Sequence, residues 1–268
     1  MIKKVLPVLA LSLAAGVVHA EDYLSPTEER VRLSLGFAHY SSDTNIQVDS
    51  SSNVPGTLLN AEDILGLDKS DFVPKFQAIL RVGERNRVWF DYFSLDRNGK
   101  ATLTQPYVFR DVVLQTNDPV QSDLSMRVLG ITYGFSFIHR ERLELAATLG
   151  INETDISARA RVETATRHVN QTEDAAGPIP VLGLAGTWVV SKRFYLDGSA
   201  RYLKVNIESL SGTLGLYEAD VLYRLRPNIS FALGYDLTKA GLTSRKSGKS
   251  GVFDFDTKGP EFLVRIAF

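Results

Sequence analysis

The sequence predicts an all-β protein, an antiparallel transmembrane β-barrel of ten strands in a Gram-negative outer membrane. Three observations predict it. Apolar residues alternate with small or polar ones over segments long enough to cross a bilayer as tilted strands. The links between these segments alternate between short and long, as periplasmic turns and extracellular loops do. The chain also opens on an export-signal pattern and closes on the aromatic Phe268.

The N-terminus reads as a signal peptide over residues 1–20. Lys3 and Lys4 form a positive start, Val5 to Val18 an apolar run, and Val18 and Ala20 the small-residue cleavage site ahead of Glu21-Asp22. The mature part, residues 21–268, is then one barrel domain. It has no stretch of about 18 apolar residues, so no spanning helix is expected. The chain contains no cysteine, which excludes a disulfide scaffold and any Cys-ligated metal. A net charge of −1 gives no argument for a nucleic-acid partner.

Each strand is read from its alternation. The first sets Val31, Leu33, Leu35 and Phe37 against Arg32, Ser34, Gly36 and Ala38. The second sets Phe76, Ala78, Leu80 and Val82 against Lys75, Gln77 and Arg81. The third, with aromatics on both faces, sets Val88, Phe90 and Tyr92 against Trp89, Asp91 and Phe93. The fourth runs Leu129, Ile131, Tyr133, Phe135 and Phe137 over Gly130, Thr132, Gly134 and Ser136. The fifth runs Leu143 to Ile151 over Glu144, Ala146 and Thr148, and a weaker sixth carries Leu182, Leu184, Trp188 and Val190. The seventh and eighth place Asp197, Arg201, Glu218, Asp220 and Arg224 on the face opposite their apolar residues. The ninth runs Ile229 to Leu237 over Gly234 and Asp236. The tenth ends Phe262, Val264, Ile266 and Phe268 over Glu261, Leu263 and Arg265.

Short links fall at residues 83–86, 139–141, 191–193 and 226–228, and long polar ones at 41–71, 97–123, 152–177 and 238–258, with a brief one at 209–213. An even strand number puts both termini on the periplasmic side. A soluble sandwich also alternates, but its polar face would carry surface Lys and Glu. Here that face is rich in Gly, Ala, Ser and opposite charges, as a crowded lumen requires.

Several stretches resemble small proteobacterial outer-membrane β-barrel proteins, a class mostly uncharacterised in activity. They are Gly56-Thr57 with Ala61-Glu62-Asp63-Ile64-Leu65-Gly66-Leu67, Arg81-Val82-Gly83-Glu84-Arg85-Asn86-Arg87, Phe90 to Gly99, and Gly259-Pro260 with Phe268. The resemblance implies the barrel, and it implies that Phe268 is the signal read by the barrel-assembly machinery. It implies no activity, which has to come from sites.

The inward face is expected to hold Arg32, Lys75, Arg81, Asp91, Arg127, Glu144, Asp197, Arg201, Glu218, Asp220, Arg224, Asp236, Glu261 and Arg265. Shielded charges are costly unless paired, so these would form a cross-strand network filling the lumen. Alternatively they would line a narrow path for ions or small polar solutes. In the first long loop, Leu58, Ala61, Ile64 and Leu65 share a face of a short helix that Gly66 would end, as a lid or as local packing on the rim. The last loop carries Lys239, Arg245, Lys246 and Lys249, a cationic stretch at the height of lipopolysaccharide phosphates. His39 and Ser41, outward at the extracellular interface, resemble the His-x-Ser of outer-membrane lipid A deacylases, but no orienting carboxylate is identifiable. No metal constellation, calcium-loop spacing or cofactor motif appears. The expectation is a non-enzymatic barrel acting structurally or through its loops, with outer-membrane lipids and lipopolysaccharide as partners. A narrow channel and a lipid-modifying hydrolase on His39 and Ser41 are the alternatives.

Overall fold

A computed structural model describes residues 25–50, 52, 54–163, 168–207, 210–246 and 249–268. The export segment over residues 1–20 lies outside them. The elements are β1 (Val31–Val48), β2 (Leu59–Asn60), β3 (Ser70–Val82), β4 (Asn86–Thr102), β5 (Tyr107–Phe109), β6 (Val112–Leu114), β7 (Pro119–Arg140), β8 (Leu143–Glu163), β9 (His168–Val189), β10 (Phe194–Ile207), β11 (Leu210–Arg226), β12 (Ile229–Lys246) and β13 (Lys249–Ala267). The sheet has 11 strands, but β2 is a two-residue piece against β1, so ten strands build the wall. All their pairings are antiparallel between neighbours in sequence, and β13 closes the barrel onto β1 from Arg32↔Ala267 to Val48↔Gly251. β5 and β6 form a separate hairpin.

The seam needs backbones in close approach. A Cβ at Gly36 would lie 1.9 Å from the Phe262 carbonyl oxygen, and one at Gly259 would lie 1.9 Å from that of His39. Only glycine fits there. Following the paired residues from Val31 once round the barrel returns to β1 at Asp43, so the strands are tilted and staggered.

Alternation holds along the wall. Leu35, Phe72, Ile131, Leu149, Leu184 and Leu233 are outward and exposed, while the residues between them face the lumen. This is the inverse of a soluble protein and makes an apolar band around the barrel. Its upper edge runs through Phe72, Tyr92, Leu129, Ile151, Tyr202, Tyr217 and Tyr235, an aromatic-rich girdle.

The structure corrects three expectations. Most of the residues read as long loops are strand: β1 runs on to Val48, β4 to Thr102, β8 to Glu163 and β12 to Lys246. The wall therefore rises well above the apolar band. Its outward face turns polar there while its hydrogen-bond ladder continues, which hides the strand from a reading that looks for apolar alternation. Arg127 is the second correction. It shares the parity of Leu129 and Ile131, is exposed, and stands outside the barrel opposite Asp155. The third concerns the stretch from Leu58 to Leu67, where no helix forms. β2 leads into a single turn in which the Leu65 N–H donates to the Ala61 carbonyl, and Gly66 leaves it at φ +70°.

Candidate functional site: a lumen closed at both ends

The inward charges are joined mainly across the lumen rather than between neighbouring strands. At the periplasmic end the segment Ser25–Arg30 crosses the mouth, with the Ser25 and Thr27 hydroxyls donating to the Glu141 carbonyl at 2.7 and 3.0 Å. It delivers Glu29 inward, 2.8 Å from Arg32 and 3.8 Å from Arg224. Arg32 on β1 also reaches Asp197 on β10 at 2.8 Å, and Arg265 on β13 meets the same carboxylate at 2.5 Å. Asp220 stands 3.8 Å from Arg265. Arg81 reaches Glu144 across the lumen at 2.7 Å, and Arg87 pairs with the same carboxylate. Glu144 also accepts from Ser136. Above these, the Lys75 ammonium lies 2.5 Å from both Asp236 and Glu261, Tyr40 donates to Asp236, and Arg201 reaches Asp91 at 3.2 Å. Charges from opposite walls meet across the lumen and narrow this half to a pocket of about 50 Å³ lined by Arg32, Arg87, Asp197 and Arg265 among others.

Oxygens of Glu218, Asp236 and Glu261 all lie within 4.8 Å of one another, the spacing of a cation site. Lys75 already presents its ammonium to two of them. The cluster is accounted for as part of the ion-pair floor.

The extracellular end is closed by different chemistry. Both first loops turn inward, and Leu59, Ala61, Leu65 and Leu67 from one meet Leu103, Tyr107, Phe109 and Leu114 from the other. They pack on the inner face of the raised wall at Ile46, Val120, Leu124 and Val162. One polar clasp fixes the first loop. Arg97, fully buried, donates to Glu62 at 2.6 Å, to the Thr44 hydroxyl at 3.0 Å and to the Asp68 carbonyl, and Glu62 accepts from the Thr44 N–H at 2.8 Å. Gly99 lets the loop close over β4, because a Cβ there would meet the Gly66 backbone at 2.5 Å. Higher up, Asp49 accepts from the Gly56 N–H at 2.9 Å and the Gln47 amide at 2.8 Å. Partial burial would raise this carboxyl, but these hydrogen bonds outweigh it and hold it below the usual range.

Of the residues expected inside, the structure places all but Arg127 in the lumen. Reading by strands missed Glu29, Arg87, Glu62 and Arg97. Glu29 precedes the first strand and Glu62 sits in a loop, so neither carries an alternation signal. Arg87 and Arg97 follow the parity of Trp89 and Asp91 and were open to detection.

The cationic stretch is not one loop. Lys239 lies within β12, 3.7 Å from Asp256 on β13, while Arg245 and Lys246 are exposed at the hairpin tip. Lys249 opens β13. His39 and Ser41 do face outward, and the His39 ring lies tilted against Phe72 with centroids 4.5 Å apart. No hydrogen bond joins them to each other or to a carboxylate among the described residues. Phe268 is outward, and its backbone binds β1: Val31 donates to its carbonyl at 3.0 Å, and its own N–H donates to Val31 at 2.8 Å.

No protein-family model matches the chain, and no curated protein is similar to it. Solved structures share its fold. The outer-membrane protease OmpT from Escherichia coli aligns with a TM-score of 0.57 at 10% identity, over 89% of this chain and 97% of that one. The fold is that of an outer-membrane β-barrel. Weaker matches are the outer-membrane protein AlkL (TM-score 0.39, 12% identity, 94% of each chain) and Neisserial surface protein A (0.31, 14%, 88% and 99%). A closed barrel of this fold with an apolar outer band belongs in the cell outer membrane, where pairing between neighbouring strands satisfies backbone groups across that band.

Proposed function

We propose that this barrel does not conduct along its axis, is not an enzyme, and acts at the cell surface through its raised rim. Double closure carries the reading: ion pairs cross and narrow the periplasmic half of the lumen, and a packed apolar cluster occupies the extracellular mouth. A water-filled porin lumen has neither. Across β7, β8 and β9 the rim is strand held by pairing up to Val120↔Val162 and Glu163↔His168, a scaffold for contact with other surfaces. Arg245 and Lys246 at the β12–β13 tip are suited to lipopolysaccharide phosphates, and Phe268 to uptake by the barrel-assembly machinery. Among the described residues no hydrogen bond joins His39 to Ser41 or to a carboxylate, Asp71 opposite Tyr40 included, and this supports the non-enzyme reading.

The test is conductance of the refolded protein in a planar bilayer. The wild type is expected to show no stable single-channel steps. Reproducible openings of the wild type would overturn the proposal in favour of a narrow channel.

A further inference from the structure

Between the two plugs the lumen is not filled. A cavity of about 410 Å³ remains, walled by apolar side chains that include Met126, Val128, Ile156, Leu203, Leu214 and Phe255. Its floor is the top of the ion-pair network, with Lys75, Arg201, Glu218 and Asp236. Roughly 150 Å³ of apolar cavity is enough to take up benzene, so this space suits a molecule more than twice that size.

The wall beside the cavity is open. β9 and β10 pair only from Tyr195↔Val189 to Tyr202↔Leu182. Beyond Leu182 β9 continues to His168 on β8, and beyond Tyr202 β10 continues to Ile207 on β11, but no pair joins β9 to β10 there among the described residues. The β3–β4 ladder also stops, at Lys75↔Phe93, but the Leu67↔Gly99 bridge and the Asp68 N–H donating to the Asn98 carbonyl rejoin the two chains above it, whereas no such bridge is found between β9 and β10 among the described residues. The cavity lining reaches both free edges, at Pro178, Ile179 and Pro180 on β9 and at Val205 on β10. Two alternating prolines belong on a strand edge, because proline cannot donate to a ladder. The gap begins at Tyr202, at the top of the apolar band, with Lys204 above it. An unpaired edge is tolerated at that height, where headgroups and water solvate backbone groups, and would not be tolerated deeper.

We infer that the cavity binds a small, uncharged, mainly apolar amphiphile that reaches it sideways from the outer leaflet, through the gap between β9 and β10. The charge class follows from the floor. The carboxylates Asp91, Glu218 and Asp236 that line the cavity outnumber the cations Lys75 and Arg201, which disfavours a carboxylate ligand. A cationic head would have to shed its water against a lining that is mainly apolar, with Met126, Val128, Leu203 and Leu214, and would meet the Lys75 ammonium at the floor. One donor is spare: the Arg201 Nε is buried and has no hydrogen-bond partner, and a lone hydroxyl or carbonyl oxygen would satisfy it. The alkyl part would lie against Met126, Leu214 and Phe255. Access along the axis is blocked by the two plugs, so the side opening is the remaining path.

The chain has no cysteine, so one introduced thiol reports alone. Val205→Cys on the cavity wall, in the full-length protein refolded into bilayer nanodiscs, is treated with pyrene-maleimide carried in the lipid and separately with an aqueous sulfonated maleimide. Ser41→Cys on the outer surface is the labelling control. The apolar reagent is expected to label Val205→Cys about tenfold faster than the charged one, because the charged reagent would have to shed its water. 1-Decanol should slow labelling about tenfold, whereas decanoate and decyltrimethylammonium at equal concentration should protect far less, for the same desolvation reason. Failure to label with either reagent, or equal labelling by both, would overturn the side-access cavity. Equal protection by all three additives would overturn the uncharged class. Should Val205→Cys not fold, as judged by heat-modifiable gel mobility, Leu216→Cys on the same cavity wall provides the same test.

Discussion

Replacing Glu62 with alanine should release the extracellular plug while leaving the barrel wall folded. Arg97 is fully buried above the apolar band, and Glu62 is the carboxylate that neutralises it at 2.6 Å. Removing Glu62 leaves Arg97 only the more distant Asp71, at 3.9 Å, so the cost falls toward the lower end of the about 3–5 kcal/mol for breaking a buried pair. The Thr44 N–H loses its acceptor in the same step. The cost falls on the first loop, which is held by this clasp and by Leu59, Ala61, Leu65 and Leu67, so it lowers the free energy of local opening. At tenfold per 1.4 kcal/mol, the opened population should rise on the order of 10²–10³-fold. Tryptic cleavage after Lys69 in the refolded protein reads that population directly. Glu62→Leu combined with Arg97→Met removes both charges and should restore most of the protection, since apolar replacement of a whole buried pair is often neutral. A change below about threefold in the Glu62→Ala cleavage rate would refute the reasoning, because it would mean that apolar packing alone holds the loop.

Other outcomes follow from the same geometry. Glu144→Ala leaves Arg81 and Arg87 facing each other without their shared carboxylate. It should cost about 3–5 kcal/mol, read as a lower urea midpoint for conversion of the heat-modifiable form. Arg127→Ala, by contrast, should change that midpoint by less than about 0.5 kcal/mol, because Arg127 is an exposed outward residue. Asp49 contributes stability that is complete above the ordinary carboxylate range and lost as pH falls through its own lowered value. The hydrogen-exchange protection of the Gly56 N–H, relative to its intrinsic rate at each pH, should therefore hold down to the ordinary aspartate value of about 3.9 and fall only below it. Asp49→Asn should weaken that protection at neutral pH. In bilayers, Glu62→Ala should stay closed, because the ion-pair plug below remains; steps appearing in that variant alone would show that the extracellular plug sets the barrier.

Chain direction, strand faces and strand number were legible in the sequence because a membrane wall imposes a period of two on every spanning segment. Leu129 to Phe137 and Ile229 to Leu237 alternate in sequence as they do on the barrel. The same rule assigned the lumen charges, and it puts Arg127 outward with Leu129 and Ile131; placing Arg127 inside departs from that parity, at the point where the outward face turns from apolar to polar. It could not find where the strands end, because above the band both faces are polar and only the hydrogen-bond ladder distinguishes wall from loop. Glu62 and Arg97 were visible as residues but not as a pair, since 35 positions separate them and one lies in a loop.

What the sequence by itself determined about this protein is therefore the wall: its alternation, its apolar band and the inward direction of its charges, all local properties of a strand. Tertiary structure alone decided the partners across the lumen, such as Arg32 with Asp197 and Lys75 with Asp236 and Glu261. It also decided the inward fold of the first two loops and the gap between β9 and β10. Strand tilt and stagger set which residues share a height on opposite walls, and the closed circuit of pairings fixes both. No window of sequence contains that circuit.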